Sequence, residues 1–365
     1  MPDFPSHTIP PGATARVCLI DTTTTIDNVP FARLLEPPIE GVNKIPILRT
    51  YSFFVENSRG RKVLFDLGAR KDLKNLAPSV RSMLDTVDWV VKVEKNVLDI
   101  LQENGYEGKE FEAIIWSHHH WDHIGNVAPF PNSVNLVVGP GFTKAYLPGP
   151  STLDDCPVDS PIPMSDYMGR EMVEVDFNGP RSLKIGRMRA HDYFGDGSFY
   201  LLDTPGHSIG HLSAVVRTST SPDTFVILGA DAIHETGELR PSQYLPIPET
   251  LHLAHFSNPQ QNIFCPGDAV HELQASRGRK PTDALFNPTA GYNMPDVHNT
   301  IRMLQEFDWN ENFFFIYAHD GSIKGVVDEF PMPLNDWKEK DWGRLTKWRF
   351  LGHYVPCLRS IAASP

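Results

Sequence analysis

The junction between the apolar run Ala113-Ile114-Ile115-Trp116 and the stretch Ser117-His118-His119-His120-Trp121-Asp122-His123 constrains this chain more than any other segment. A short apolar run of this kind reads as a buried strand, so the histidines emerge where a strand ends. His118 and His120 stand two apart, and in an extended or turning segment their imidazoles can converge on one ion. Asp122 and His123 then turn towards a neighbouring position. Imidazole and carboxylate are the ligands divalent zinc takes when no thiolate is offered.

Three further stretches repeat the arrangement. Asp203-Thr-Pro-Gly-His207 follows Phe199–Leu202, Leu228-Gly-Ala-Asp231 follows Thr224–Ile227, and Tyr317-Ala-His319-Asp320 follows Phe313–Ile316. Each sets a His or Asp just past the carboxyl end of a strand, where α/β proteins gather their sites. The candidate metal ligands are therefore His118, His120, Asp122, His123, His207, Asp231 and His319. A lone histidine after a strand is ordinarily a surface or capping residue, but an ordered set at successive strand ends is not accounted for in that way.

Other strands are expected at Val17–Asp21, Pro46–Glu56, Lys62–Asp66, Asn135–Gly139, Ser182–Ile185 and His211–Val216, with a hairpin turn at Asn57–Gly60. The spacing predicts helices over Asp88–Asn104 with Gly105 as its C-terminal cap, near Glu249–His255 and Asp268–Gln274, and from Asp296 as N-cap to Glu306. The tail Leu334–Trp348 is amphipathic and reads as helical. Residues 141–178 and 232–295 read as loop insertions, the first long enough to serve as a lid. No linker divides the chain, so the reading is one α/β domain over 1–330 with a helical extension over 331–365.

Composition narrows the partners. With 33 Lys and Arg against 45 Asp and Glu, the 365 residues carry a formal charge of −12, which disfavours nucleic acid. The four cysteines, Cys18, Cys156, Cys265 and Cys357, are far apart, so neither a disulfide framework nor a zinc knuckle is expected. The N-terminus lacks the basic start and apolar run of a signal peptide, and no stretch approaches the roughly 18 apolar residues of a membrane span. The expectation is a soluble cytoplasmic protein with no membrane partner.

On the motifs from Asp66 to His319 the sequence resembles a metallo-β-lactamase superfamily hydrolase. The resemblance implies an α/β fold, an αββα four-layer sandwich with a dinuclear site at one edge of two sheets. It implies that His118, His120 and His207 hold a first Zn2+, that Asp122, His123 and His319 hold a second, and that Asp231 bridges them, the second position being open to another divalent metal. Asp66 would orient the histidine loop from behind the ligands. His120 stands where the iron-binding redox branch has Glu, which favours zinc hydrolysis, and Asp231 separates the chain from the antibiotic-destroying β-lactamases. The fragments Ser117–His123 and Thr204–His211 are most similar to quorum-quenching lactonases and also resemble fungal-type lactam hydrolases and thioesterases. Where those lactonases place a tyrosine, three residues after the bridging aspartate, this chain has His234, which points to a different substrate.

The chemistry expected is opening of a lactone, lactam or cyclic carbamate in a small aromatic or acyl-bearing molecule. Two zinc ions about 3.5–4 Å apart can share a water and lower its pKa to roughly 7. Asp122 or Asp231 would carry a proton to the leaving group, and His234 is a candidate hydrogen-bond donor. The alternatives are a thioesterase of the same superfamily or a catalytically silent metal-binding homologue. Trp121, Phe142, Tyr167, Tyr244, Phe256, Phe264 and Tyr292 are available to line an apolar pocket walled by the two insertions. The tail leaves a homodimer open.

Overall fold

A computed structural model describes residues 4, 5, 7–147, 160–255 and 258–362. Two sheets lie face to face. One has seven strands in the spatial order Val90–Lys92, Ala15–Asp27, Leu48–Asn57, Lys62–Phe65, Ala113–Ile115, Asn135–Val138, Met172–Glu174. The other has six, in the order Phe313–Ile316, Asp223–Leu228, Leu212–Thr220, Phe199–Asp203, Met188–Asp192, Ser182–Ile185. The first sheet changes from antiparallel to parallel pairing where Lys62–Phe65 meets Ala113–Ile115. In the second only the Asp223–Leu228 and Phe313–Ile316 pair is parallel.

Strand side chains alternate between faces, and both faces of each sheet are apolar here. Val17, Leu19, Phe53, Val55, Val63, Phe65 and Ile115 of the first sheet meet Phe199, Leu201, Ala214, Val216, Val226, Leu228 and Ile316 of the second in one buried core. The intervening residues face outwards onto helices. Cys18, Ile20, Phe54, Leu64 and Ile114 pack against Val97, Leu98 and Leu101 of the helix Val97–Glu103. Tyr200, Leu202, Val215, Ile227 and Phe315 pack against Val297, Ile301, Leu304 and Phe307 of the helix Met294–Asp308. The result is the αββα sandwich that the resemblance implies. A fourth packing region closes one end, where Ile26, Val29 and Phe31 meet Val270, Leu273, Phe286, Leu351 and Tyr354.

The Asn57–Gly60 hairpin forms as expected, with Asn57 Oδ1 accepting the Arg59 and Arg61 amides, each at 3.0 Å, and Gly60 in the left-handed region at φ +77°. Several local expectations are corrected. Asp88–Asn104 is not one helix. Its β-branched start, Val90–Lys92, pairs with Thr25–Asp27 at the sheet edge, and the helix begins only after Asn96, whose amide donates to Asp99 Oδ2 at 2.9 Å. The N-cap of the helix Met294–Asp308 is Asn293, not Asp296. Thr250–His255 alternates apolar and polar residues and is a strand paired with Asn258–Pro266, not a helix. Met188–Asp192 is a further strand, absent from the sequence expectations, and it joins Ser182–Ile185 across Gly186.

The tail is helical over Trp342–Thr346 and Val355–Ala362 and not from Leu334. Leu334 and Trp337 instead enter the inter-sheet core as turn residues, the Leu334 amide donating to the Val17 carbonyl at 2.7 Å. Of the stretch 141–178, Met172–Glu174 is an edge strand of the first sheet, while residues 148–159, with Cys156, lie outside the described residues. No helix among the described residues is long and apolar enough to cross a membrane.

Candidate metal centre

The four strand ends converge at one edge of the sandwich. His118 and His120 leave the Ala113–Ile115 strand, Asp122 and His123 lie in the helical turn Trp121–Ile124 that follows, and His207, Asp231 and His319 come from the second sheet. Donor atoms of His118, His120, His207 and Asp231 lie within 4.8 Å of one another, as do those of Asp122, His123 and His319.

Asp231 stands between the two groups. Its Oδ2 is 3.7 Å from His118 Nε2 and 3.6 Å from His207 Nε2, while its Oδ1 is 3.1 Å from both His123 Nε2 and His319 Nε2. Asp122 Oδ2 is 3.8 Å from the same two nitrogens of His123 and His319. His120 Nδ1 and His207 Nε2 face each other at 3.0 Å.

The outer nitrogens are engaged elsewhere. His118 Nδ1 is 2.9 Å from Ser117 Oγ, His123 Nδ1 is 2.9 Å from Asp66 Oδ2, and His319 Nδ1 donates to the Arg49 carbonyl at 2.7 Å. Such contacts set the tautomer and turn each Nε2 inwards. Asp66 also accepts the Ser117 amide and hydroxyl, both at 2.7 Å, from a backbone held at φ +61°. The Asp231 turn is likewise constrained, with Ala230 at φ +47° and the Gly229 amide donating to the Ile316 carbonyl at 2.7 Å.

The donor set fits divalent metal. His118 Nε2, His123 Nε2 and Asp231 Oδ1 are all buried without a hydrogen-bond partner, a costly state that coordination would relieve. Burial, reinforced by His123 and His120, holds the His118 imidazole well below its usual pKa, the neutral form that a metal requires. Burial pushes the Asp231 carboxyl up, but His123 and His319 outweigh it and hold the group well below the usual carboxylate range.

His234 is no surface residue. It is 7% exposed, its Nε2 is 3.5 Å from Asp231 Oδ2, and its amide donates to the buried Glu238 Oε1 at 2.9 Å. His119, by contrast, points away from the donors and stacks on Tyr146 with ring centroids 3.8 Å apart.

A cavity of about 210 Å³ opens onto His120, Asp122, His207, Asp231, His234 and His319. Trp121 lines it as expected, and His234 and Ala290 bring in the expected stretch 232–295, but most of the other walls come from elsewhere. Ile26, Val29, Leu34, Leu48, Met83 and Trp89 supply these, and no described residue of 141–178 takes part. Phe142 is fully buried in the core, Tyr167 packs against the same core, and Tyr292 is 70% exposed. Tyr244 neighbours Phe4, Phe256 lies outside the described residues, and Phe264 falls in the strand Asn258–Pro266. Trp89 and Met83 escape a sequence reading because they lie in and before a segment with helical spacing, with nothing nearby to tie them to the histidines.

Residues 45–254 match the family model of the metallo-beta-lactamase superfamily. "Gamma-lactamase FDB1" of Fusarium pseudograminearum is 37% identical over 96% of this chain and 85% of its own length. "Metallo-hydrolase mfmC" of Annulohypoxylon moriforme is 38% identical over 98% of this chain and 92% of its own. Among solved structures, a single-residue mutant of B. thuringiensis AiiA with N-decanoyl-L-homoserine bound at the active site superposes with a TM-score of 0.55 at 17% identity, over 88% of this chain and 99% of that one. The chain belongs to the metallo-beta-lactamase superfamily.

Proposed function

We propose that this chain is a dinuclear zinc hydrolase that opens the ring of a small lactam or lactone with an aromatic or acyl body. The placement of Asp231 between two donor groups carries the reading, since one carboxylate touching both groups is what a bridged pair requires. The γ-lactamase name of a relative matched over most of its length favours the cyclic amide among the bonds considered.

His118, His120 and His207 would hold one ion, Asp122, His123 and His319 the other, with Asp231 shared. Bound there, the ions supply an activated water and polarise the carbonyl oxygen. Trp121 and Trp89 offer flat apolar faces to a planar ring system. Asp122 and Asp231 line the same cavity and are placed to accept a proton and return it to the leaving nitrogen or oxygen. His234, facing the cavity beside Asp231, is placed to donate a hydrogen bond to that leaving atom.

The test is initial rates of zinc-loaded protein on matched aryl and acyl lactams, lactones, cyclic carbamates and thioesters, with Asp231→Asn alongside. Ring opening that is lost in the variant supports the reading. Faster release of free thiol from thioesters, or silence across the panel with both ions bound, would sink it.

A further inference from the structure

The cavity holds one feature that the ring-opening reading leaves unused. Apart from the residues of the metal centre its walls are apolar, and Arg33 is the only Lys or Arg among its described lining residues. Arg33 ends the short helical turn Phe31–Arg33, with its side chain exposed at the cavity rim. Among the described residues no carboxylate pairs with it, and its guanidinium makes no hydrogen bond.

Arginines that serve the fold are handled differently in this chain. Arg240 binds Asp308 at 2.6 Å through one nitrogen and 2.7 Å through another, and Arg70 binds Asp72 at 2.9 Å, both arginines being buried. Arg33 has no such partner among the described residues. Among the described lining residues outside the metal centre, this guanidinium is the one cationic group that an anionic substituent of a bound molecule can meet. A planar guanidinium offers paired N–H donors that match a carboxylate.

We infer that Arg33 is a specificity-determining residue, recognising a carboxylate carried by an apolar, planar substrate at the end remote from the carbonyl that is opened. The inference rests on the ring-opening reading of the site for its substrate, but not for its test. The competing role for Arg33 is simple cover, its aliphatic stem lying over the apolar rim while the charge stays in water. Methionine keeps that stem and removes the charge, so it separates the two.

The experiment is isothermal titration calorimetry on the zinc-loaded protein with two probes that contain no hydrolysable bond. They are an indanone bearing a carboxylate on its benzo ring and the matched carboxamide. Wild type binds the carboxylate roughly three- to tenfold more tightly, and added salt narrows the gap. Arg33→Met abolishes the preference while leaving the carboxamide affinity unchanged, and Arg33→Lys retains part of it. Equal affinities in wild type, a preference that survives Arg33→Met, or no binding of either probe overturns the inference. Cleavage of the corresponding benzo-fused γ-lactams is measured separately. A preference dependent on Arg33 without any cleavage would remove the ring-opening reading and leave this subsite standing, and cleavage without a preference would do the reverse.

Discussion

Asp66 Oδ2 lies 2.9 Å from His123 Nδ1 although the two residues are 57 positions apart, and neither side chain touches solvent to any extent. The contact leaves His123 Nε2 as the free donor atom, and the other Asp66 oxygen fixes the start of the histidine loop through the Ser117 amide. Asp66→Asn keeps a residue that tolerates a positive φ but loses the charge behind the imidazole. The expected outcome is metal affinity weaker by about 10- to 100-fold, read by competition with a chromophoric chelator. An unchanged affinity would show that the Asp66 contact shapes the loop without tuning the ligand.

His234, at the position where the resemblance to the lactonases implies a tyrosine, lies in the cavity wall within 3.5 Å of Asp231. If it serves the leaving atom, His234→Ala lowers kcat by roughly 10²- to 10⁴-fold, with a smaller change in KM and no loss of bound metal. Steady-state kinetics paired with metal analysis check this. A variant that loses metal along with turnover would point to a role in building the site instead.

The residues that converge in the candidate metal centre could be read from the chain because the information is local. Each candidate sits within a few residues of a strand that is apolar on both faces, and the two-residue spacing of His118 and His120 is itself a geometric statement. The cavity walls carry no such local mark. Val29 and Leu34 come from the turn after the first strand, Met83 from the helix Pro78–Leu84, Trp89 from the connection that follows it, and Leu48 from the start of another strand. Only tertiary packing brings them together, and none differs in sequence from an ordinary core residue. The misreading of Asp88–Asn104 has the same origin. Val90, Val91 and Val93 satisfy a helical stripe nearly as well as an edge strand, and the choice is made by hydrogen bonds to Thr25–Asp27.

Trp89 is half-buried on the cavity wall and far in sequence from every metal-centre residue. Removing its ring should weaken binding of flat aromatic substrates by about 1–2 kcal/mol, a rise in KM of roughly five- to thirtyfold. Small aliphatic rings, which cover less of the indole, should lose much less. The check is Trp89→Ala assayed on an aryl and an alkyl member of the same lactam series. Equal losses on both would place Trp89 in the fold of the cavity wall and not in substrate recognition.

Behind His234 the chain buries two carboxyls, Glu235 and Glu238, at 5% and 1% exposure. Burial pushes the Glu235 group up from 4.5 to about 8, although the Gly237 amide donates to it, and burial pushes Glu238 up to about 7. A carboxyl whose pKa is higher in the folded chain than in the unfolded one holds its proton when folded and releases it on unfolding. The unfolded state then binds fewer protons between the two values, so stability falls as pH rises from about 4.5 towards about 8 and levels off above that. Glu235→Gln keeps an acceptor oxygen for Gly237 and removes the charge. The expected outcome is a thermal midpoint that declines less than wild type over this window, with a gain at the alkaline end on the order of a few kcal/mol. Differential scanning calorimetry of the zinc-loaded proteins across the window decides it. Parallel pH profiles for the two proteins would mean that Glu235 is relieved of its charge in some other way, through a water or a shift in the Gly237 turn.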